Sequence, residues 1–459
     1  MKGNKDFIQI SRSEINYRPV KERIKDYLEV EIPLSLDQAK YQAKRCLECG
    51  TPFCHGYGCP LSNLIPEWNE LLAKGKWKLA LVTLLSTNNF PEFTCRVCPA
   101  PCESACTANL LSEAVSIRQI ERVLIEQAFK EGLISPVNQI KRTGKKVAII
   151  GSGPAGLACA DNLNKIGHSV VVFEKEPECG GILMYGIPDF KLEKWVVKRR
   201  IELMKKEGIV FEKSTNVGID IMPNYFQKRF DALVIATGAQ TPNNLDILGR
   251  EAKGILFAME FLVYQNMVLQ NINSKNTNYS AEGKNVVIIG GGDTGADCVG
   301  VSIRQGAKTV TQIELLPKPP QYRSTATPWP MWEYKLRFSS SQKEGVKQMW
   351  SVKTDSFEKS KSGTIKGLNL SRIRWLQEKD QLPSSFINVQ DSGFFLKSDL
   401  VILAMGFKKN EKILNMFKNK QSLKIFTCGD ISLGASLVVK AMASGRQVAK
   451  EINQYLKMI

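Results

Sequence analysis

The sequence predicts an α/β protein with a mostly helical front section followed by two open parallel-sheet units. Three observations carry that reading. Eight of the 12 cysteines crowd between positions 46 and 106, among segments whose apolar residues recur at helical spacing. From Lys145 the period changes to a short β-branched run, then glycines, then a helical stretch, then another strand. The same succession starts again at Asn285, as close to an internal repeat as this chain comes.

The front section, 1–140, reads as helices over 36–47, 61–73, 76–85 and 117–129, with the cysteines on Gly- and Pro-rich loops between them. The first sheet unit takes a strand at 146–150, a helix ending near 166, a strand at 169–173 and another at 232–236. Residues 265–281 are polar and Asn-rich and read as a surface excursion. The second unit takes a strand at 285–289, a helix over 294–305 and a strand at 309–315. Further strands are expected at 399–404 and 424–428, and a closing helix over 435–455.

At 459 residues the chain suits two or three domains. Hydrophobic content of 43% and charged content of 24% are those of a globular chain, which excludes wholesale disorder. No run of 18 apolar residues suggests a membrane span, and the polar start Met1-Lys2-Gly3-Asn4 lacks a secretion signal, so a cytoplasmic setting is expected. A net charge of +18 raises the question of nucleic acid. The lysines are scattered, without a basic block interleaved with aromatics, so a solvated surface is the better reading. With only two histidines, His55 and His168, most hydrolase chemistry resting on a histidine base is excluded.

The cysteines form two blocks, Cys46, Cys49, Cys54 and Cys59-Pro60, then Cys95, Cys98, Cys102 and Cys106. Crowded cysteines without a secretion signal point to metal rather than disulfides. In two-cluster ferredoxins three neighbouring cysteines hold one cube, and a remote cysteine followed by proline ligates the other. That pattern assigns Cys46, Cys49, Cys54 and Cys106 to one iron–sulfur cluster and Cys59, Cys98 and Cys102 to a second. The fourth ligand of the second is open among Cys95, Gln119 and Glu121. Zinc is the alternative, but the gap between Cys49 and Cys95 exceeds zinc-ribbon spacing. Cys159, Cys179, Cys298 and Cys428 lie in the α/β region and read as packing residues.

Gly151, Gly153, Pro154, Ala155 and Gly156 follow a strand and open a helix, with Glu174 at the end of the next strand. Glycines let backbone approach a pyrophosphate at the helix N-terminus, and the carboxylate binds ribose hydroxyls, which makes this unit Rossmann-like and dinucleotide-binding. Gly290, Gly292, Asp293, Thr294 and Gly295 repeat the arrangement, with Glu314 in the acidic position. An acid there favours NADH and repels the 2′-phosphate of NADPH, although Lys318 and Arg323 stand nearby and soften the preference.

Two such sites joined to a two-cluster module resemble the small subunit of glutamate synthase. The likeness covers nearly the whole chain: both cysteine blocks, the 151–156 fingerprint, Glu174-Lys175, the run 179–188 with Gly181 and Ile182, Thr237-Gly238, 290–297, 317–320, and Cys428-Gly429-Asp430. The resemblance implies FAD at the first fingerprint, with Gly429 and Asp430 as a second FAD contact, and a nicotinamide nucleotide at the second. It implies two 4Fe-4S clusters and an iron–sulfur domain over 1–140. It also implies that the second unit is inserted in the first: FAD-binding parts at 145–242 and 404–459, with the NAD(P)H-binding domain at 243–403. Residues 314–320 and 328–330 are more similar to NADH-type members. The implied role is to supply electrons to a large subunit that converts glutamine and 2-oxoglutarate to two glutamates. Hydride passage between stacked rings needs no side-chain acid or base, so no catalytic side chain is expected. The alternative is the reductase module of another flavin/iron–sulfur system, of the pyrimidine reductase or ferredoxin-linked transhydrogenase type.

Overall fold

The structure, a computed structural model, describes residues 9–137, 141–272, 276–376, 381–417 and 423–458. The expected boundary at 140 and part of the expected excursion, 273–275, lie outside the described residues. The front section is helical: α1 (Leu36–Ala43), α2 (Ile65–Ala73), α3 (Trp77–Thr87), α4 (Pro91–Val97) and α5 (Ile117–Lys130). Ser35 opens α1 with a reciprocal capping box, accepting from Gln38 N at 3.2 Å while Gln38 Oε1 accepts from Ser35 N at 2.8 Å. Buried Ala39, Trp68, Leu72, Leu84, Ile120 and Leu124 close α1, α2, α3 and α5 onto one apolar cluster.

Not every cysteine lies on a loop as expected. The helix α4 was not legible, because its proline start masks a short periodic run, and it carries Cys95. Cys54 opens the short turn Cys54–Gly58 and Cys102 sits in the turn Pro101–Ser104.

The first parallel sheet contains β1 (Lys146–Ile150), β2 (Ser169–Phe173), β3 (Val210–Glu212), β4 (Ala232–Ile235) and, from much later in the chain, a strand at Lys424–Thr427. The helix α6 (Pro154–Ile166) follows β1, and α7 (Lys194–Lys206) precedes β3. The second parallel sheet holds β5 (Ile255–Phe257), β6 (Asn285–Ile289), β7 (Thr309–Glu314), β8 (Lys347–Trp350) and, later again, a strand at Leu400–Leu403. The helix α8 (Ala258–Leu269) follows β5, and α9 (Asp293–Arg304) follows β6. Thus 265–269, read from sequence as excursion, belong to a helix whose Phe261 and Leu262 are buried. An antiparallel sheet of β9 (Val352–Lys359), β10 (Ile365–Leu376), β11 (Ser385–Asn388) and β12 (Phe394–Lys397) was not foreseen.

The strand β13 (Leu400–Leu403) pairs with both β5 and β6, and β14 (Lys424–Thr427) then returns to pair in parallel with β4. The helix α10 (Val438–Leu456) follows and crosses α6 so closely that Gly445 sits against the Ala155 backbone. The second sheet unit is therefore inserted in the first, as expected.

Buried contacts hold the parts together. Phe190, from the first unit, is buried in the core of the second beside Phe261 and Val299, and neighbouring Lys191 pairs with Asp297 of α9. The segment before α1 also packs on the second unit: Arg23 Nε donates to Glu344 Oε1 at 2.7 Å, and Val30 N donates to Phe190 O at 3.0 Å.

Candidate functional site

The cysteines gather in two sets. Cys46, Cys54 and Cys106 are buried and Cys49 is half-buried. Burial pushes the Cys46 thiol up to about 12, with Cys106 and Cys49 adding to the rise. Cys54 is raised by burial and then by Cys106, Cys46 and Cys49. These four thiols stand within one another's field.

Cys59, Cys98 and Cys102 line a second space together with Glu121, Asn63, Asn88, Thr94 and Arg118. Burial raises Cys59 to about 11 and Cys98 to about 12. Burial pushes the Glu121 carboxyl up to about 8, against the lowering pull of Thr94 and Arg118. Its Oε1 accepts from Asn88 Nδ2 at 3.0 Å and from the Thr94 hydroxyl.

Of the three residues left open from sequence, only Glu121 lines this space. The Cys95 thiol turns into a different apolar cluster with Leu81, Ile125 and Ala128, and donates toward Glu92 O at 3.5 Å. Gln119 donates to Ser13 O at 2.9 Å. A helical turn explains the difference: Cys95 lies inside α4, whereas Cys98 is the residue that ends it.

Both glycine fingerprints have one geometry. Gly151 and Gly290 take φ of 102° and 122°, a region that favours glycine, at the point where each strand turns into its helix. In the first, Glu174 Oε2 accepts from Ser152 N at 3.1 Å while its Oε1 accepts from Glu176 N at 3.0 Å. In the second, Glu314 Oε2 accepts from Gly291 N while its Oε1 accepts from Leu316 N at 3.1 Å. Each carboxylate thus joins its strand end to the second residue of the loop. Gly153 and Gly292 supply no side-chain cap to α6 and α9, which leaves first-turn amide donors for an anion, with Asp293 in the first turn of α9.

The other expected residues cluster at the first fingerprint. Gly181 lies against Gly153, Ile182 is exposed, and Gly429 lies against Ala155. The Thr237 hydroxyl is buried and has no hydrogen-bond partner among the described residues, beside Gly238 at φ 75°. An orphaned buried hydroxyl fits a pocket made for a polar ligand. Asp430 accepts from Ser436 Oγ at 2.6 Å, and burial raises its carboxyl. Lys175 is exposed and pairs with Glu176 at 3.6 Å.

Sequence reasoning missed the ring of groups around Arg323. That guanidinium donates to Met331 O at 2.8 Å, to Thr327 O and Ser104 O at 3.1 Å, and stands 3.5 Å from Glu333. It is therefore engaged by its own loop, and the proline-rich run 317–330 was the only signal of an ordered excursion there.

Comparison with known proteins shows the family. Residues 23–133 match the family described as Dihydroprymidine dehydrogenase domain II, 4Fe-4S cluster, and residues 145–445 match Pyridine nucleotide-disulphide oxidoreductase. The NADPH glutamate synthase small chain of Mycobacterium tuberculosis is 43% identical, over 96% of this chain and 93% of that protein. That of Bacillus subtilis is 42% identical, over 98% and 97%. The NADH glutamate synthase of Schizosaccharomyces pombe is 44% identical over 97% of this chain, which spans only 22% of that protein's length. Among solved structures, Mycobacterium tuberculosis FprA in complex with NADPH superposes at TM-score 0.53 and 14% identity, covering 68% of this chain and 84% of that one. 2-Naphthoyl-CoA reductase superposes at 0.51 and 18% identity, covering 84% and 52%. These two likenesses bear on fold alone. No helix among the described residues is long and apolar enough to cross a membrane. By sequence match along nearly its whole length, the chain belongs to the family of glutamate synthase small chains, with an iron–sulfur front and a pyridine-nucleotide oxidoreductase body.

Proposed function

We propose that this chain is the electron-input subunit of a glutamate synthase. It takes hydride from NADH at FAD and passes electrons through two 4Fe-4S clusters to a large subunit that makes two glutamates from glutamine and 2-oxoglutarate. One observation carries the reading. The space lined by Cys59, Cys98, Cys102 and Glu121 is also lined by Val439 of α10, the helix that crosses the first-fingerprint helix α6. One thiol set therefore borders the first-fingerprint unit, while the other belongs to the helical front and includes half-buried Cys49.

When bound, flavin accepts a hydride and releases electrons singly, and iron–sulfur clusters carry them on. The chain's own residues hold and orient. Cys46, Cys49, Cys54 and Cys106 would hold one cluster, and Cys59, Cys98, Cys102 and Glu121 the other. Buried thiols have raised pKa values only while they are bare; metal deprotonates them on binding. Gly151, Gly153 and Gly156 with the start of α6 would take the FAD pyrophosphate, Glu174 the ribose, and Thr237, Gly181, Gly429 and Asp430 the rest. Gly290, Gly292 and Gly295 with the start of α9 would take the nicotinamide nucleotide, with Glu314 at its ribose.

NADH is favoured because Glu314 presents a carboxylate where a 2′-phosphate would lie and Arg323 is occupied. Lys318 is exposed and forms no ion pair among the described residues. The domains follow as 1–140, 145–242 with 404–459, and 243–403. A second reading, the reductase module of another flavin/iron–sulfur system, draws on the family matched at 23–133.

The test is an anaerobic absorbance spectrum before and after NADH, with iron and sulfide quantified. Flavin bands over a broad brown shoulder, bleached by NADH, are expected. Flavin without iron would overturn the relay. Glutamate formation on adding a large subunit separates the first reading from the second.

A further inference from the structure

The run 181–194 belongs to the first sheet unit, yet it reaches from the first fingerprint to the helix that opens at the second. At its start Gly181 stands against the first fingerprint, where an added Cβ would lie 2.9 Å from Gly153 Cα. In its middle it is gripped by Asn266 of α8, a buried residue of the second unit. The Asn266 Nδ2 donates to Tyr185 O at 2.7 Å and to Ile187 O at 3.1 Å. The far end seats on α9. Phe190 fills the space over Gly300, where an added Cβ would lie 2.5 Å from Phe190 Cζ, and the Arg304 guanidinium covers the ring at 4.0 Å from its centroid. Lys191 pairs with Asp297. Asp297, Gly300 and Arg304 fall at i, i+3 and i+7, one stripe of the helix that begins at Asp293.

The run between these contacts is stapled to itself. Lys194, at the start of α7, is buried, and its Nζ donates to Ile187 O at 2.5 Å and Leu192 O at 2.9 Å and lies 3.1 Å from Asp189. Lys191 N and Leu192 N both donate to Pro188 O, at 3.0 and 3.1 Å. Domains within one chain move against each other unless a well-packed apolar interface stops them. Here a buried ring in the core of the second unit and a buried amide on two carbonyls remove that freedom, because a close-packed joint transmits position instead of absorbing it.

We propose that Asn266 is a positioning residue for hydride passage: by clamping the Tyr185 and Ile187 carbonyls, with Phe190 seated on Gly300, it fixes the second fingerprint at one distance and angle from the first. The proposal rests on the reading that the first fingerprint takes FAD and the second the nicotinamide nucleotide. A hydride, one proton with two electrons, leaves the nicotinamide, which is oxidised, and joins the flavin, which is reduced. The two rings must meet face to face for this, and a misplacement of about 1 Å costs up to about a hundredfold in rate. With no side-chain acid or base required, placement is the protein's share of the step.

The test uses the full chain loaded with its cofactors and takes three readings: calorimetric binding of 5′-ADP, the limiting rate of anaerobic flavin bleaching at saturating NADH, and the long-wavelength absorbance of reduced flavin stacked on oxidised nicotinamide, read at equilibrium. Asn266→Ala is expected to lower the limiting rate at least about tenfold, weaken the stacking band and leave 5′-ADP within about twofold. Gly300→Ala, which pushes Phe190 off its seat from the opposite side of the joint, should do the same, and serves if Asn266→Ala does not fold. A folded variant that bleaches as fast as the unaltered protein overturns the proposal, as does one that merely unfolds at lower temperature. A faster rate overturns it too, because the joint would then hold the rings apart. So does weaker 5′-ADP binding that accounts for the whole loss. If 5′-ADP does not bind the unaltered protein, the nucleotide reading of the second fingerprint fails, and this proposal falls with it.

Discussion

Arg200 of α7 donates through Nε to Glu92 Oε1 of α4 at 2.5 Å, with both side chains buried. The bond ties the first-fingerprint unit to the cysteine-bearing helices. Removing one partner leaves the other charged and dry, so Glu92→Ala is expected to cost about 3–5 kcal/mol. Arg200→Met with Glu92→Leu, which removes both charges and keeps volume, should cost far less. Thermal unfolding of the two variants checks this; equal losses would show that packing, and not charge, holds the joint.

The two thiol sets make separate predictions. Cys106→Ala should lower iron from roughly eight to roughly four per chain while FAD stays bound. Cys95→Ala should leave iron unchanged, since its thiol points into the Leu81 and Ile125 cluster. Iron quantitation decides both, and iron loss in the Cys95 variant would restore that residue as a ligand.

Glu314→Arg is expected to shift the ratio of kcat/KM toward NADPH by about tenfold or more, as a fork of donors replaces a repelling charge. Steady-state kinetics with an artificial acceptor measure it. An unchanged ratio would remove Glu314 from the nucleotide site.

His168 carries a pH signature. Its Nδ1 lies 2.8 Å from Thr143 Oγ1 and its Nε2 lies 3.1 Å from Asn453 Oδ1. Burial lowers its pKa below the ordinary histidine value of 6.5. The unfolded chain therefore binds the proton more readily. The contribution is full above about 6.5 and is lost as pH falls through the lower folded value. The thermal midpoint should drop between pH 7.5 and 5.5, and His168→Gln should shrink that drop.

Much of the fold was legible because its signals are local. The β-branched runs at 146–150 and 285–289, the glycines after them and the acids at 174 and 314 each need only neighbouring residues to be recognised. The antiparallel sheet at 352–397 was not legible, because its short strands gain their burial from β-partners distant in sequence, such as Leu368 opposite Phe357. The helix α4 was hidden for a different reason: seven residues that start on proline give too little periodicity to read.

The sequence by itself determined the chemistry available to this protein: eight close cysteines, two glycine fingerprints and their paired acids. The tertiary structure alone decided which groups meet. The turn of α4 separates Cys95 from Cys98, and the register of α5 brings Glu121, not Gln119, to the second thiol set. The return of β14 beside β4 made the insertion, and the loop around Arg323 set Glu333 among three cations. The physical reason is range. Backbone turns and residue types act over a few positions, whereas side-chain direction and ion pairing between remote segments exist only after the chain has closed on itself.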